Sequence, residues 1–363
     1  VNGIYDFFKS DKKLEKIIIT GPSQAGARLE GSKAFAKSFM NKYSIPTARY
    51  REFDISNFDD GLQYIQNHPL PVVLKADGLA AGKGVVICNN YIEALSEFEL
   101  MIQRAKFGNA GKKVVVEEFL DGIELSVFVL TDGKNYVVLP EAKDYKKIGE
   151  GDKGPNTGGM GAISPVPFAT EHFMEKVTKQ VIEPTINGLQ AEGIDYKGFI
   201  FLGLIKVSEE PMVIEYNCRM GDPETEVVLI RLQNDLVELL VAMEEHKLDS
   251  QKISVEKNHA VTIVAVSGGY PGIYEKGKLI EFLYLENPET VKHIDEDGVG
   301  ALVFHAGTKI ADGKTVTNGG RVLAVSAMAV GLGDAIELSK TILEEIYFEG
   351  MYYRGDIGYE FVD

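Results

Sequence analysis

The stretch Val213-Ile214-Glu215-Tyr216-Asn217-Cys218-Arg219-Met220-Gly221-Asp222-Pro223-Glu224 constrains the fold of this chain more than any other. Side chains alternate between the two faces of a strand. Read as a strand, the segment sets Glu215, Asn217 and Arg219 on one face and Ile214, Tyr216 and Cys218 on the other, buried one. A carboxylate, an amide and a guanidinium then stand in a row. Glu and Asn offer the hard oxygen ligands that Mg²⁺ prefers, and Arg offers planar donors for a phosphoryl or acyl-phosphate oxygen. An edge strand with a solvated polar face has the same pattern. After the strand, Asp222, Pro223 and Glu224 read as the cap and first turn of a helix.

A chain of 363 residues, 45% hydrophobic and 25% charged, is long enough for two or three domains with their own cores. No stretch has the length of uninterrupted apolar residues that a membrane span requires, and the first residues lack the pattern of a signal peptide. The two cysteines, Cys88 and Cys218, match no metal or redox spacing and read as structural residues of a reduced, cytoplasmic protein. A net charge of −16 disfavours nucleic acid and anionic membranes as partners. Against that background, lysines and arginines inside glycine-rich segments point to an anionic small ligand.

Residues 17–23 read as a short buried strand, and apolar residues at helical spacing from Ser32 to Tyr43 predict a helix that Ile45-Pro46 ends. Strands are expected at 72–75, 84–87, 114–119, 125–130, 199–207 and 211–217, with helices at 92–104 and 170–187. Residues 143–165 read as a long loop rich in Gly, Lys and Asp, of the kind usually functional or mobile. From about Gln251 the chain alternates strands with Asp-Gly and Asn-Gly turns and closes with a helix over 334–348.

The segment Lys75-Ala76-Asp77-Gly78-Leu79-Ala80-Ala81-Gly82-Lys83-Gly84-Val85 lacks the spacing of a Walker loop. It fits a flexible hairpin, with Lys75 on the strand and Lys83 at the tip, whose Gly82 and Gly84 let backbone N–H groups close over polyphosphate. A plain hairpin with solvated lysines is the alternative. Val114 to Glu124 reads as a strand running into a hinge, where strand-end backbone groups, Phe119 and Leu120 suit adenine and Glu124 suits ribose hydroxyls; ordinary surface charge explains Glu124 equally well. Gly154-Pro155-Asn156-Thr157-Gly158-Gly159-Met160-Gly161 reads as a nest of backbone donors for a carboxylate or phosphate, or else as a linker. Asp144 adds charge upstream of it. Further on, Arg321 follows Asn318-Gly319-Gly320 and could meet a phosphate or serve a structural turn, while His305 reads as a partly buried histidine.

In this order, the segments Leu29 to Lys33, Lys75 to Val85, Val116 to Leu120, Gly154 to Gly161, Glu215 to Glu224, Phe304 to Lys309 and Asn318 to Leu323 resemble the ATP-grasp superfamily. More narrowly, they resemble its phosphoribosylamine–glycine ligase family of purine biosynthesis. The resemblance implies an α/β (α+β) protein: an ATP-grasp domain over 29–250 with a glycine-rich ATP-lid subdomain at 71–132, and a mixed C-terminal domain over 251–363. Residues 1–28 then read as the remnant of a Rossmann-like N-terminal domain, with the chain expected to start near that domain's end.

The implied reaction phosphorylates the glycine carboxylate with ATP and passes the acyl group to the amine of 5-phosphoribosylamine. Lys33, Lys75 and Lys83 would neutralise phosphate, with Gly82 and Gly84 closing over it, Glu117 and Leu120 framing adenine and Glu124 holding ribose. Glu215 and Asn217 would ligate Mg²⁺ or Mn²⁺, and Arg219 would stabilise the transferring phosphoryl group. Asp144, Thr157, Gly158, Gly159, Met160, Gly161, Asp222 and Arg321 are assigned to glycine and phosphoribosylamine. The expected partners are small molecules, with the protein a monomer or weak homodimer. The competing readings are another ATP-grasp carboxylate–amine ligase, and an ATP-binding fragment inactive without its N-terminal domain.

Overall fold

The computed structural model describes residues 1–78, 84–283 and 294–362. Contacts gather these into two compact units built from interleaved segments: Val1–Val138, Thr170–Met220 and Leu236–Lys252 in the first, and Leu139–Ala169, Gly221–Asp235 and Ile253–Asp363 in the second.

The first unit holds two sheets. The smaller is antiparallel, in the order Tyr50–Asp54, Lys113–Glu118, Val72–Ala76, Val85–Cys88. Its alternation is strict. Phe53, Val72, Leu74, Val114 and Val116 share a core with Ile65, Ala94, Phe98 and Met101 of the helices Phe58–Gln66 and Tyr91–Ile102. That leaves Tyr50, Val73, Lys75, Val115 and Glu117 on the opposite face, which is how two charged residues come to lie inside a sheet domain. The helix Lys33–Lys42 begins where the sequence predicts: Ser32 Oγ accepts from Phe35 N–H at 3.1 Å. Asp77, just past the Val72–Ala76 strand, adds a second cap by accepting from Ala34 N–H at 2.7 Å and Ser32 Oγ at 2.9 Å.

In the larger sheet the long strand Tyr196–Val207 pairs with Ile123–Thr131 and with Glu210–Asn217, both antiparallel. Gly203 stands opposite Ser126 and Glu215, and Phe201 opposite Phe128 and Asn217. Glu215 and Asn217 therefore share a face, as alternation requires, and Tyr216 is buried on the other, its hydroxyl 2.7 Å from Thr185 Oγ1. The strand ends at Asn217, so Arg219 lies outside it and not at its fifth position. Where the strand ends, Cys218 N–H donates to Glu30 Oε2 at 2.8 Å, and further along the partner strand Tyr196 and Lys197 pair with Pro22 and Gly21. Of the strand expected over 17–23, only Gly21–Pro22 is formed.

The second unit is an antiparallel sheet in the order Gly300–His305, Arg321–Ala329, His259–Val266, Gly161–Ser164, Lys143–Asp144. Ala335, Ile336, Ile342 and Leu343 of the helix Leu332–Glu344 join its core. Two expectations are corrected here. The stretch 143–165 is not one loop, because Lys143–Asp144 and Gly161–Ser164 are strands of this sheet and Lys147–Gly149 pairs with Lys153–Asn156. The helix expected to open at Asp222 runs over Thr225–Arg231, with Glu224 at the cap position. Asp222 is held instead by Arg321, which takes its carboxylate out of reach of a capping role.

Candidate functional site

On the larger sheet of the first unit, register places Glu124, Ser126, Glu215 and Asn217 on one face. Gly203 lies between Ser126 and Glu215, and a Cβ there would stand 3.2 Å from Glu215 Cγ, so the missing side chain makes room for the carboxylate. Arg219 leans back over the strand end: Nη2 donates to Asn217 Oδ1 at 3.4 Å and Nη1 to Met220 O at 3.0 Å, while Nε lies 3.8 Å from Glu30 Oε1. Its side chain stays 57% exposed. The guanidinium thus reaches the amide by a turn of the chain and not by the strand alternation expected from the sequence.

Lys75 is buried, with Nζ 2.9 Å from Glu117 Oε2 and 3.3 Å from Ile214 O, the carbonyl next to Glu215. Glu117 Oε2 is shared with Lys37 Nζ at 3.1 Å, and Glu117 Oε1 is buried without a hydrogen-bond partner among the described residues. Burial pushes the Lys37 ammonium down to about 8, with the Lys75 charge adding to the shift and Glu117 and Glu118 opposing it. Lys33 opens the helix Lys33–Lys42, its N–H donating to Asp77 O at 3.1 Å. Gly84 O accepts from Ala76 N–H at 2.8 Å and so closes the hairpin stem. Gly82 and Lys83, expected at its tip, lie outside the described residues. Leu120 is half-buried and Glu124 exposed beyond the strand Lys113–Glu118.

Glu215 and Asn217 supply two hard oxygen side chains, and no cluster of three or more His, Cys, Asp or Glu fit to hold a metal occurs among the described residues. Such a donor set fits a hexacoordinate cation that takes its remaining ligands from phosphates and water, not an all-protein cage.

In the second unit, Arg321 joins the other predicted residues. Nη1 donates to Gly158 O at 2.8 Å and Asp222 O at 3.0 Å, and Nη2 to Asp222 Oδ2 at 3.0 Å. The loop before Gly161 is not a set of open donors. Thr157 N–H donates to Lys146 O, Gly158 N–H to the Tyr270 hydroxyl, Gly159 N–H to Thr157 Oγ1 and Met160 N–H to Tyr145 O, all at 2.7–2.9 Å. Gly159 has φ +113°, and a Cβ would run into Pro223 Cδ. Asp144 pairs across the sheet with Ala162 and lies 3.9 Å from Lys146 Nζ. Glu226, on the helix behind Asp222, has its carboxyl raised above the usual range by burial and then by the Asp222 charge.

Glu30, Lys37, Tyr270 and Glu226 were missed by sequence reasoning. Glu30 carried one available signal, an ionisable side chain just before the helix start at Ser32, whereas Lys37 lies mid-helix and carried none.

Residues 31–225 match the family described as phosphoribosylglycinamide synthetase, ATP-grasp (A) domain, and residues 260–360 match its C domain. The phosphoribosylamine–glycine ligase of Vibrio cholerae is 43% identical over 99% of this chain and 80% of its own length. That of Clostridium acetobutylicum is 43% identical over 99% and 82%. The crystal structure of the Thermotoga maritima ligase superposes with a TM-score of 0.83 at 36% identity, covering 96% of this chain and 83% of that one. The biotin carboxylase domain of Hydrogenobacter thermophilus 2-oxoglutarate carboxylase shares the fold, with a TM-score of 0.69 at 18% identity over 94% and 71%.

Proposed function

The chain belongs to the phosphoribosylglycinamide synthetase family of ATP-grasp ligases, and on that premise we propose how its residues join glycine to 5-phosphoribosylamine. A glycine carboxylate oxygen attacks the γ-phosphorus of ATP and ADP leaves. The amine of phosphoribosylamine then attacks the acyl carbon of glycyl phosphate, an amide forms and phosphate departs. No side-chain nucleophile is needed, since phosphoryl transfer depends mainly on positioning and electrostatic stabilisation.

The observation that carries the assignment of roles is the convergence, within one unit, of Lys75 Nζ on the Ile214 carbonyl beside Glu215, with Arg219 bonded to Asn217. Lys33, Lys75 and Lys83 bind the phosphates, as do Gly82 and Gly84. The strand end from Glu117 to Leu120 frames adenine through its backbone, and Glu124 holds the ribose. Glu215 and Asn217 hold Mg²⁺ or Mn²⁺, which supplies charge neutralisation at the phosphate oxygens. Arg219 stabilises the transferring group as the catalytic arginine.

Asp144, the segment Thr157-Gly158-Gly159-Met160-Gly161, Asp222 and Arg321 serve glycine and phosphoribosylamine. Because the loop's N–H groups are engaged within the protein, Arg321 and Asp222 form that site's polar surface and the glycines shape it. We assign 29–250 to the ATP-grasp domain, with its lid at 71–132, and 251–363 to the C-terminal domain. The enzyme acts on small molecules in the cytoplasm as a monomer or weak homodimer, a reading supported by the net charge of −16 and two free cysteines.

The test is ADP release with ATP, glycine and freshly made phosphoribosylamine, each omitted in turn. Release that needs all three supports the assignment; release with a different acid or amine in place of glycine or phosphoribosylamine overturns it.

A further inference from the structure

Lys33 and Lys37 stand one turn apart on the same helix, and it is Lys37 that the fold buries, at 2% exposure. An ammonium in such a place is a poor choice for stability alone, because a packed apolar residue serves as well without desolvation. Its partners come from two strands of the small sheet and from the segment before one of them. Nζ lies 3.1 Å from Glu117 Oε2, donates to Thr47 Oγ1 at 2.7 Å and to Ala48 O at 3.4 Å, and stands 5.6 Å from the Tyr50 ring centroid. The other charges that face it are Lys75 and Glu118.

The geometry makes the carboxylate a shared resource. Lys37 and Lys75 both converge on Oε2 of Glu117, while Oε1 has no hydrogen-bond partner among the described residues. Two ammoniums and one carboxylate leave one net positive charge on the face that carries Lys75. Thr47 extends the link, since its hydroxyl donates to Val213 O at 2.7 Å, at the start of the segment that carries Glu215.

We propose that Lys37 is a positioning residue for the nucleotide: charged, it competes for Glu117 and leaves the Lys75 ammonium directed at the polyphosphate; neutral, it yields Glu117 to Lys75 and removes the net positive charge. The inference rests on reading this face as the ATP site. A polyanion bound beside the cluster must in turn raise the proton affinity of Lys37, whose free-protein pKa of about 8 lies where this can be seen.

The experiment is calorimetric titration of the intact chain with Mg-ATP, without glycine, at pH 6.5 and pH 8 in buffers of different ionisation enthalpy. At pH 8 wild type should take up a fraction of a proton, at most about half, and close to none at pH 6.5. Lys37→Met should abolish the uptake and bind about tenfold more weakly at pH 6.5, from the loss of one nearby charge. Uptake that persists in Lys37→Met, or ATP binding by wild type at pH 8 without uptake, overturns the proposal and leaves the ATP site standing. Failure of wild type to bind ATP overturns both. If Lys37→Met does not fold, the wild-type measurement decides alone.

Discussion

Two segments looked alike as anion sites, Glu215–Arg219 on the strand end and Thr157–Gly161 in the glycine loop, and they use their polar groups in opposite ways. At the strand end, Arg219 makes one bond to Asn217 Oδ1 and one to its neighbour's carbonyl and remains 57% exposed. In the loop, the N–H groups of residues 157–160 all donate to protein acceptors. The first region keeps capacity for a ligand and the second holds a backbone shape. Glycine density therefore marks a close approach of chains, here to Pro223 and Arg321, and not by itself a phosphate cradle.

The contrast can be broken by substitution. Arg219→Lys keeps the charge but loses the planar fork, and kcat should fall about a hundredfold with a much smaller change in ATP affinity. Equal losses in both would make Arg219 a ground-state contact and erase the distinction. Gly159→Ala should act the other way, costing about 2–4 kcal/mol of stability because φ is +113° and the new methyl meets Pro223. Thermal unfolding decides it: a variant as stable as wild type but unable to use its substrates would show that the loop is a binding element and not a scaffold.

A smaller effect concerns Cys88, fully buried in the core of the small sheet, whose thiol burial pushes up to about 11. Below that pH it stays neutral, so alkylation of native protein at pH 8 should leave Cys88 unmodified, as read by mass spectrometry. Modification at pH 8 would mean that the small sheet opens, and that its buried lysine cluster is not held as described.

How much of this was legible in the sequence depended on range. Glu215 and Asn217 were placed on one face by a period of two residues, a purely local rule, and the pairing of Gly203 with Glu215 agrees. The departure of Arg219 from that strand was not local: Glu30, far upstream, accepts from Cys218 N–H and ends the pairing. Lys37 carried no signal in the sequence, because its burial is set by Glu117 and Thr47, which only the fold brings to it. The glycine loop suggested open donors because nothing near it in sequence announces that the Tyr270 hydroxyl accepts from Gly158. The C-terminal strands were expected from their Asp-Gly and Asn-Gly turns, whereas the strand Gly161–Ser164 that joins their sheet was hidden in a stretch read as loop.

We place the metal and phosphoryl end of the ATP site at the Glu215–Asn217 face. The most direct measurement is Mg²⁺-dependent ADP release by Glu215→Gln, which removes a ligand's charge while preserving its shape. Turnover should fall about a thousandfold, and the Mg²⁺ needed for half-maximal rate should rise, with the thermal midpoint nearly unchanged. Unchanged turnover and an unchanged Mg²⁺ requirement in a folded variant would contradict the assignment.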